Sequence, residues 1–236
     1  MRLYDIFALF KYVEMWIKIK ILSAQAEKIM RIIIYGGSVN NFSEVFVMDF
    51  SFNLYNAMAG GGVCLSLQKI LAENTAVPVV LCIGSDLSVG DSLGPVAGTK
   101  LKERLAGLNC YIYGTLAKPI TAHEVKYMNE FLRSTHPEAP IIAIDAAVGL
   151  AGDIGLIKLA KRGIKPGSGA NKKLSKVGDV SIMGIVAERS MFNYSLFSAT
   201  RLNLVYKMAD IIAEGVSSYI LSNLQNKNAE RKKFCI

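Results

Sequence analysis

The chain has 236 residues, of which 52% are hydrophobic and 19% are charged, a composition that excludes wholesale disorder and suits one domain with additional segments. Its net charge of +8 favours acidic partners, although net charge alone reports on solubility and non-specific association. The four cysteines show neither CxxC pairing nor zinc-finger spacing, so we expect no disulfide framework and a cytoplasmic location.

Residues 1–44 are interpreted as an N-terminal extension in which large apolar residues are interrupted by charges. No uncharged stretch is long enough to span a bilayer, and no signal-peptide pattern is present. Apolar residues at helical spacing predict a helix. Three interpretations stay open: a helix on a membrane surface, a helix that packs on the domain or mediates homo-oligomerisation, and an over-extended start with the true protein beginning near Met30 or Met48.

Residues 45–222 carry the alternating pattern of an α/β domain. Short, apolar, β-branched runs predict buried strands at Val79–Ile83, Cys110–Tyr113, Ile141–Ile144, Gly155–Leu159 and Val180–Val186. Helices are predicted at Val63–Glu73, Val96–Leu105, Thr121–Arg133 and Leu196–Leu221, the third with a capping box of Thr121 and Glu124. This order indicates a mostly parallel sheet covered on both faces. Residues 223–236 are expected to be a basic, solvated tail.

Two aspartates follow predicted strands at one edge of this sheet. Asp91 lies in the loop after the first buried strand, and Asp145 is predicted to end the third. Ligands of open α/β sheets bind at the carboxyl ends of the strands, so the two side chains are expected to meet. Such a pair can share a proton, one carboxyl acting as base toward water and the other as acid, or it can ligate a divalent metal.

A structural interpretation competes with this chemistry. Aspartates in glycine- and serine-rich loops commonly cap helices or make turns, and Asp91 stands just before a helix expected to open at Pro95. Asp86, in the same loop, is interpreted as a turn residue. Ser92 and Ser168 lack a histidine partner, which argues against a serine hydrolase.

A glycine-rich segment, Lys165–Lys172, predicts a loop with close backbone approach. It lacks the lysine and hydroxyl pair of a phosphate-binding P-loop, although binding of phosphate or another anion by exposed amides and Lys172 stays an open alternative. Nucleic acid is not expected as a partner of the basic stretch Lys161–Lys176, because no aromatic residues are interleaved there.

Five blocks in order carry a family resemblance: IGSDLSVGDSLGPVAGTKL from Ile83, YGTL from Tyr113, AIDA from Ala143, KPGSGANKKLSKVGD from Lys165 and TRLNLVYKMADII from Thr200. They resemble the YyaC-type sporulation family over about Val77–Leu221. A weaker similarity links GDSLGP, AIDA and PGSG to the germination proteases, and the same fold holds the hydrogenase maturation proteases.

The resemblance implies a three-layer α/β/α sandwich of the phosphorylase/hydrolase-like type. By resemblance to the germination proteases, the essential aspartates fall on Asp91 and Asp145. The hydrogenase maturation proteases add a histidine to two acidic metal ligands, but no histidine follows Asp145 in this chain. No cofactor is therefore assigned, and a divalent metal held by the two aspartates remains an open alternative.

The resulting hypothesis is a spore protease-like hydrolase that cleaves peptide bonds with an aspartate pair activating water, in the sporulating cell or forespore. Its substrate would be a peptide or protein. Residues expected to shape the site are Asp86, Ser92, Gly167, Ser168, Gly169, Asn171 and Lys172, with the last two stabilising the oxyanion. The alternative hypothesis is a catalytically inactive sporulation protein that binds a peptide or protein partner in the same cleft.

Overall fold

A computed structural model describes residues 49–74, 76–164, 176–189 and 200–233, with side chains as far as residue 225. Two sets of expectations, those on residues 1–44 and those on Lys165–Lys172, lie outside the described residues. Within the described ranges, no helix has both the length and the apolar character needed to cross a membrane.

The described strands form one mixed sheet. They are β1 (Asp49–Asn53), β2 (Val79–Cys82), β3 (Tyr111–Tyr113), β4 (Ile141–Gly149), β5 (Leu156–Ala160) and β6 (Val180–Glu188), in the spatial order β1-β5-β6-β4-β2-β3. The four strands β3, β2, β4 and β6 run parallel to one another. At the other side of the sheet, β5 is antiparallel to β6, and β1 is antiparallel to β5.

Helices cover both faces of this sheet. They are α1 (Ala59–Ile70), α2 (Leu93–Arg104), α3 (Val125–Thr135) and α4 (Leu202–Lys233). One core cluster joins α1, α2 and α4 to one face, and a second cluster joins α3 to the opposite face. The expected three-layer α/β/α architecture with a mostly parallel sheet is therefore confirmed.

Strand β2 shows why its sequence is apolar without alternation. Val80 and Cys82 lie in the first core cluster, whereas Val79 and Leu81 lie in the second, and none of the four is exposed. A strand covered on both faces needs apolar side chains at every position. The interpretation of Cys82 as a buried core residue is also confirmed.

Strand β1 was not predicted. Phe50 and Phe52 alternate with exposed residues and pack against the first core cluster. The Phe52 ring lies where a side chain on Gly62 of α1 would be, because a Cβ there would fall 2.3 Å from the ring. The period-2 alternation was present in the sequence, but the strand is only five residues long.

The helix ends differ from the prediction in two places. Helix α4 continues to Lys233, so the boundary expected after residue 222 falls inside a helix. Helix α3 begins at Val125, after a turn in which the Glu124 carboxylate accepts a 2.8 Å hydrogen bond from the backbone N–H of Thr121. This bond is the reach-back half of the predicted capping box.

Candidate active site

Strands β2 and β4 are neighbours whose outgoing connections lead in opposite directions. From β2 the chain passes through α2 to β3 on one side, and from β4 it passes to β5 and β6 on the other. Such a switch point leaves a crevice at the carboxyl ends of the two strands, which is where open α/β sheets bind ligands. Both candidate aspartates lie at this end of the sheet, Asp91 after β2 and Asp145 within β4.

The loop after β2 turns out of the sheet at Gly84. The N–H of Ile83 donates the last bond of the β2–β4 pairing to Ile144 at 2.8 Å, and the N–H of Gly84 then donates to Ile120 at 2.9 Å. Gly84 has φ +141°, and a Cβ there would lie 2.0 Å from the carbonyl oxygen of Asp91. A glycine is required at this position, and its close backbone contact fixes the place of Asp91.

Asp91 is the middle residue of a 3₁₀ turn, Gly90–Ser92, that leads directly into α2. Helix α2 begins at Leu93, and its N-cap residue, Ser92, makes no side-chain capping bond. Helix capping is therefore not what places an aspartate in this turn. Burial raises the pKa of Asp91, and a hydrogen bond from the Ser85 backbone N–H offsets part of that rise.

Asp145 lies within β4, one residue past the end of the β2–β4 pairing. The prediction that it ends the strand was wrong, because β6 stays paired with β4 as far as Gly149 opposite Glu188. Only 8% of Asp145 is exposed, and one carboxyl oxygen, Oδ1, accepts a 2.8 Å bond from the N–H of Ala146. Alternation along β4 places this side chain on the face covered by α3.

The two carboxyls interact electrostatically. Burial and then the negative charge of Asp91 hold the pKa of Asp145 well above its usual range, and the Ala146 amide offsets only part of this effect. Two acids coupled in this way lose their protons in two steps that belong to the pair. When the pair holds a single proton, the stronger burial of Asp145 favours Asp145 as the residue that carries it. Because Oδ1 of Asp145 accepts a hydrogen bond, Oδ2 is the oxygen that would carry a proton on this carboxyl. We call these two residues the carboxyl pair.

The other predicted site residues of this loop lie outside the carboxyl pair. The buried hydroxyl of Ser92 donates to the carbonyl of Val89 at 2.7 Å, so it closes the 3₁₀ turn. Asp86 is exposed to solvent. The structure thus brings Asp91 and Asp145 together and gives Ser92 a structural bond.

The predicted residues of the glycine-rich segment, Gly167, Ser168, Gly169, Asn171 and Lys172, lie outside the described residues. The residues that flank residues 165–175 are described. Ile164 and Val177 exchange two backbone hydrogen bonds of 2.9 Å and are buried in the second core cluster beside Ala143. The two residues Ile164 and Val177 therefore lie on the face of the sheet that carries Asp145. Participation of this segment in the site stays a prediction.

Ser88 was not among the predicted site residues. Its hydroxyl oxygen is buried in the same loop and has no hydrogen-bond partner among the described residues. A buried polar atom of this kind costs free energy unless water or a ligand binds it. Nothing in the spacing of the loop distinguishes Ser88 from Ser85 or Ser92.

The described residues do not complete a metal site. The carboxyl pair supplies two oxygen ligands, but no group of three or more histidine, cysteine, aspartate or glutamate side chains is gathered within the described ranges. This donor set does not fit the site with two acidic residues and a histidine that the resemblance to hydrogenase maturation proteases implies. The two carboxyl groups of the pair are therefore the reactive groups considered for this site.

Fold and site define an α/β/α protein with an acidic pair at the switch point of its sheet. The chain belongs to the family described as "Protein of unknown function (DUF1256)", which matches residues 53–215 and so includes both aspartates. It is 41% identical over 139 residues to the uncharacterized protein YyaC of Bacillus subtilis (strain 168), an alignment covering 59% of this chain and 67% of that protein. The expected membership of the YyaC-type family is confirmed.

Among solved structures, the chain is similar to a crystal structure of the NiFe hydrogenase maturation protease HycI from Thermococcus kodakarensis. The TM-score is 0.41 and the sequence identity is 18%, with 65% of this chain and 99% of that chain covered.

Proposed function

We propose that the protein is a hydrolase that cleaves peptide bonds, with Asp91 as the base toward water and Asp145 as the acid. The observation that carries this proposal is the coupling of the two carboxyls, in which the charge of Asp91 helps to keep Asp145 protonated. Acid and base roles require two groups whose environments separate their pKa values, and the stronger burial of Asp145 supports such a separation.

The reaction uses only the carboxyl pair and water. Asp91 takes a proton from water as the water oxygen attacks the substrate carbonyl carbon, and Oδ2 of Asp145 gives its proton to the carbonyl oxygen. The C–N bond then breaks as Asp91 passes its proton to the leaving nitrogen and the intermediate returns a proton to Asp145. Both side chains recover their starting states, and the products are a carboxylic acid and an amine.

The proposed biological setting comes from the family resemblance. The YyaC-type and germination protease similarities favour a peptide or protein substrate and action in the cytoplasm of a sporulating cell or forespore. The competing function is a catalytically inactive protein that binds a peptide or protein at the same cleft. The two functions differ in whether the charge of Asp91 is needed for turnover.

The direct test is to incubate the purified full chain with an extract of sporulating bacteria and identify new peptide N-termini by mass spectrometry. Asp91→Asn removes the base, and Glu103→Gln is the control because Glu103 is an exposed acid of α2, the helix that follows Asp91. We expect new N-termini with the wild type and the control but not with Asp91→Asn. Equal cleavage by Asp91→Asn, or none by the folded wild type, contradicts the proposal.

A further inference from the structure

Strand β4 is longer than the strand beside it. Strand β2 pairs with β4 only as far as Cys82 opposite Ile144, and the N–H of Ile83 adds one last bond to Ile144. On the other side, β6 remains paired to the end of β4. The segment Ala146–Gly149 therefore has a strand on one side and, among the described residues, no strand on the other.

The direction of the backbone groups follows from alternation along the strand. The carbonyl of Ile144 points toward β2, because it accepts from Ile83, whereas the carbonyl of Gly149 accepts from Arg189 at 2.7 Å on the β6 side. Alternate residues direct their N–H and C=O groups to opposite neighbours, so those of Ala146 and Val148 face the side that β2 has left. We call this side of Ala146–Gly149 the open edge.

The groups on the open edge are largely unused. The N–H of Ala146 donates to Oδ1 of Asp145 at 2.8 Å. For the carbonyl of Ala146 and both backbone groups of Val148, no described residue supplies a partner on this side. The segment is half-buried. Unpaired backbone groups along a strand edge are a template for another chain.

We propose that the open edge binds the substrate as an added β-strand, so that an extended polypeptide segment hydrogen-bonds Ala146 and Val148 beside the carboxyl pair. This inference rests on the proposed function and names its substrate class as extended, unpaired main chain. Added strands draw affinity from main-chain hydrogen bonds, while side-chain pockets supply specificity. Peptide groups that are already paired inside a helix or a central strand of a substrate cannot form these bonds.

Two features link the open edge to the chemistry. It begins one residue after Asp145, and the bond from Ala146 N–H to Asp145 ties its first residue to the acid. Opposite the same segment, β6 has one extra residue, since Ala147 lies opposite Ile185 and Val148 opposite Ala187. Bulges of this kind are enriched next to active sites, where they redirect a strand.

Amide hydrogen exchange on the full chain tests the open edge directly. The Asp91→Asn variant is used so that a bound peptide is not cleaved, with a capped, soluble hexapeptide of alternating valine and threonine at millimolar concentration as the probe. We expect the Val148 amide to exchange faster than that of Ala147 in the free protein. The peptide should slow exchange at Val148 at least about tenfold. A Val148 amide that is already protected in the free chain, or that the peptide leaves unchanged, overturns the proposal.

A matched pair of variants checks that a main-chain donor is responsible. Val148→Pro removes the N–H that faces the open edge, a change that strands tolerate where that N–H faces away from the ladder, and Val148→Ala keeps it. We expect the labelled peptide to lose binding, measured by fluorescence anisotropy, only with Val148→Pro. Equal binding by the two variants overturns the proposal. If Val148→Pro does not fold, the acceptors of the edge are tested instead: N-methylation of the peptide at alternate amides removes the N–H groups that would donate to the Ala146 and Val148 carbonyls, and this peptide is expected not to bind.

The two proposals fail separately. If the peptide binds at the open edge but the wild type cleaves no substrate, the proposed hydrolase activity is contradicted while the proposed binding site is still supported. If the wild type cleaves substrate but the peptide does not protect the Val148 amide of Asp91→Asn, the proposed binding site is contradicted while the hydrolase activity is still supported.

Discussion

The negative charge of Asp91 raises the pKa of Asp145, although the two residues belong to different elements of the sheet and its loops. The relationship exists because β2 and β4 are adjacent and parallel, so the loop after β2 reaches the point where β4 carries Asp145. A buried acid beside a second acid keeps its proton at a pH where an isolated aspartate does not. This coupling leads to predictions for the rate of peptide hydrolysis, the stability of the protein and the titration of Asp145.

The rate of peptide hydrolysis should depend on both members of the carboxyl pair. Asp91 must be ionised and Asp145 protonated, so the rate should fall below the pKa of Asp91 and again above that of Asp145. Asp145→Asn keeps the oxygen that accepts from Ala146 but cannot donate an acidic proton. We expect it to lower kcat by about 10²- to 10⁴-fold and to remove the alkaline limb of the pH profile. An unchanged alkaline limb would show that a group other than Asp145 acts as the acid.

The stability of the same variant should rise relative to the wild type as the pH increases. Above the ordinary aspartate pKa of about 3.9, the unfolded chain loses this proton while the folded protein keeps it. The folded state then binds more protons, so the free energy of unfolding falls with rising pH up to the raised pKa of Asp145. The side chain of Asp145→Asn does not titrate, so the free energy of unfolding of this variant should not fall for this reason.

Urea unfolding of both proteins at a series of pH values measures the effect. The difference in the free energy of unfolding, variant minus wild type, should increase from pH 3 upward, whereas a difference that is constant or that decreases contradicts the burial of a protonated Asp145. Asp86→Asn serves as the control with an exposed carboxyl.

The start of α2 should not tolerate a side chain at Gly94. A Cβ there would lie 2.0 Å from the carbonyl oxygen of Ile83, which is main chain and cannot move aside easily. Gly94→Ala should destabilise the protein by about 1–3 kcal/mol, the range for overpacking. Gly152→Ala is the matched control, because nothing lies within 4 Å of that position. Equal thermal midpoints for the two variants would disprove this close contact.

Much of the fold follows from the sequence because its strands are short, apolar and separated by helices. The run Val79–Ile83 predicts a strand buried on both faces, and the structure has one at Val79–Cys82. Strand β4 shows the limit. A carboxylate inside a buried strand is costly, so Asp145 was expected to end it, whereas pairing with β6 carries the strand on to Gly149.

The site was predicted less completely than the fold. Spacing at strand ends predicts that Asp91 and Asp145 meet, since both follow parallel strands of one sheet. It does not predict that Ser92 turns its hydroxyl inward to Val89. Nor does it predict the open edge, which depends on where β2 stops relative to β4 and is a property of the pairing of two distant segments.

Helix α3 should stabilise the protein by covering the face of the sheet that carries Asp145. Leu132 of α3 is fully buried in the second core cluster. Leu132→Ala should lower the free energy of unfolding by about 2–5 kcal/mol, because it removes buried methyl groups and leaves a cavity. Glu130→Ala, at an exposed position of the same helix, should change it by about 0.5 kcal/mol or less. A Leu132→Ala loss no larger than that of the control would contradict the packing of α3.

The measurement that bears most directly on the central claim is a ¹³C NMR titration of the Asp145 carboxyl in the wild type and in Asp91→Asn. The account predicts that the pKa of Asp145 lies well above that of an ordinary aspartate and falls when the charge of Asp91 is removed, while burial keeps it above the ordinary value. An Asp145 that titrates like an exposed aspartate, or whose pKa is the same in both proteins, would show that the two carboxyls are not a coupled acid and base.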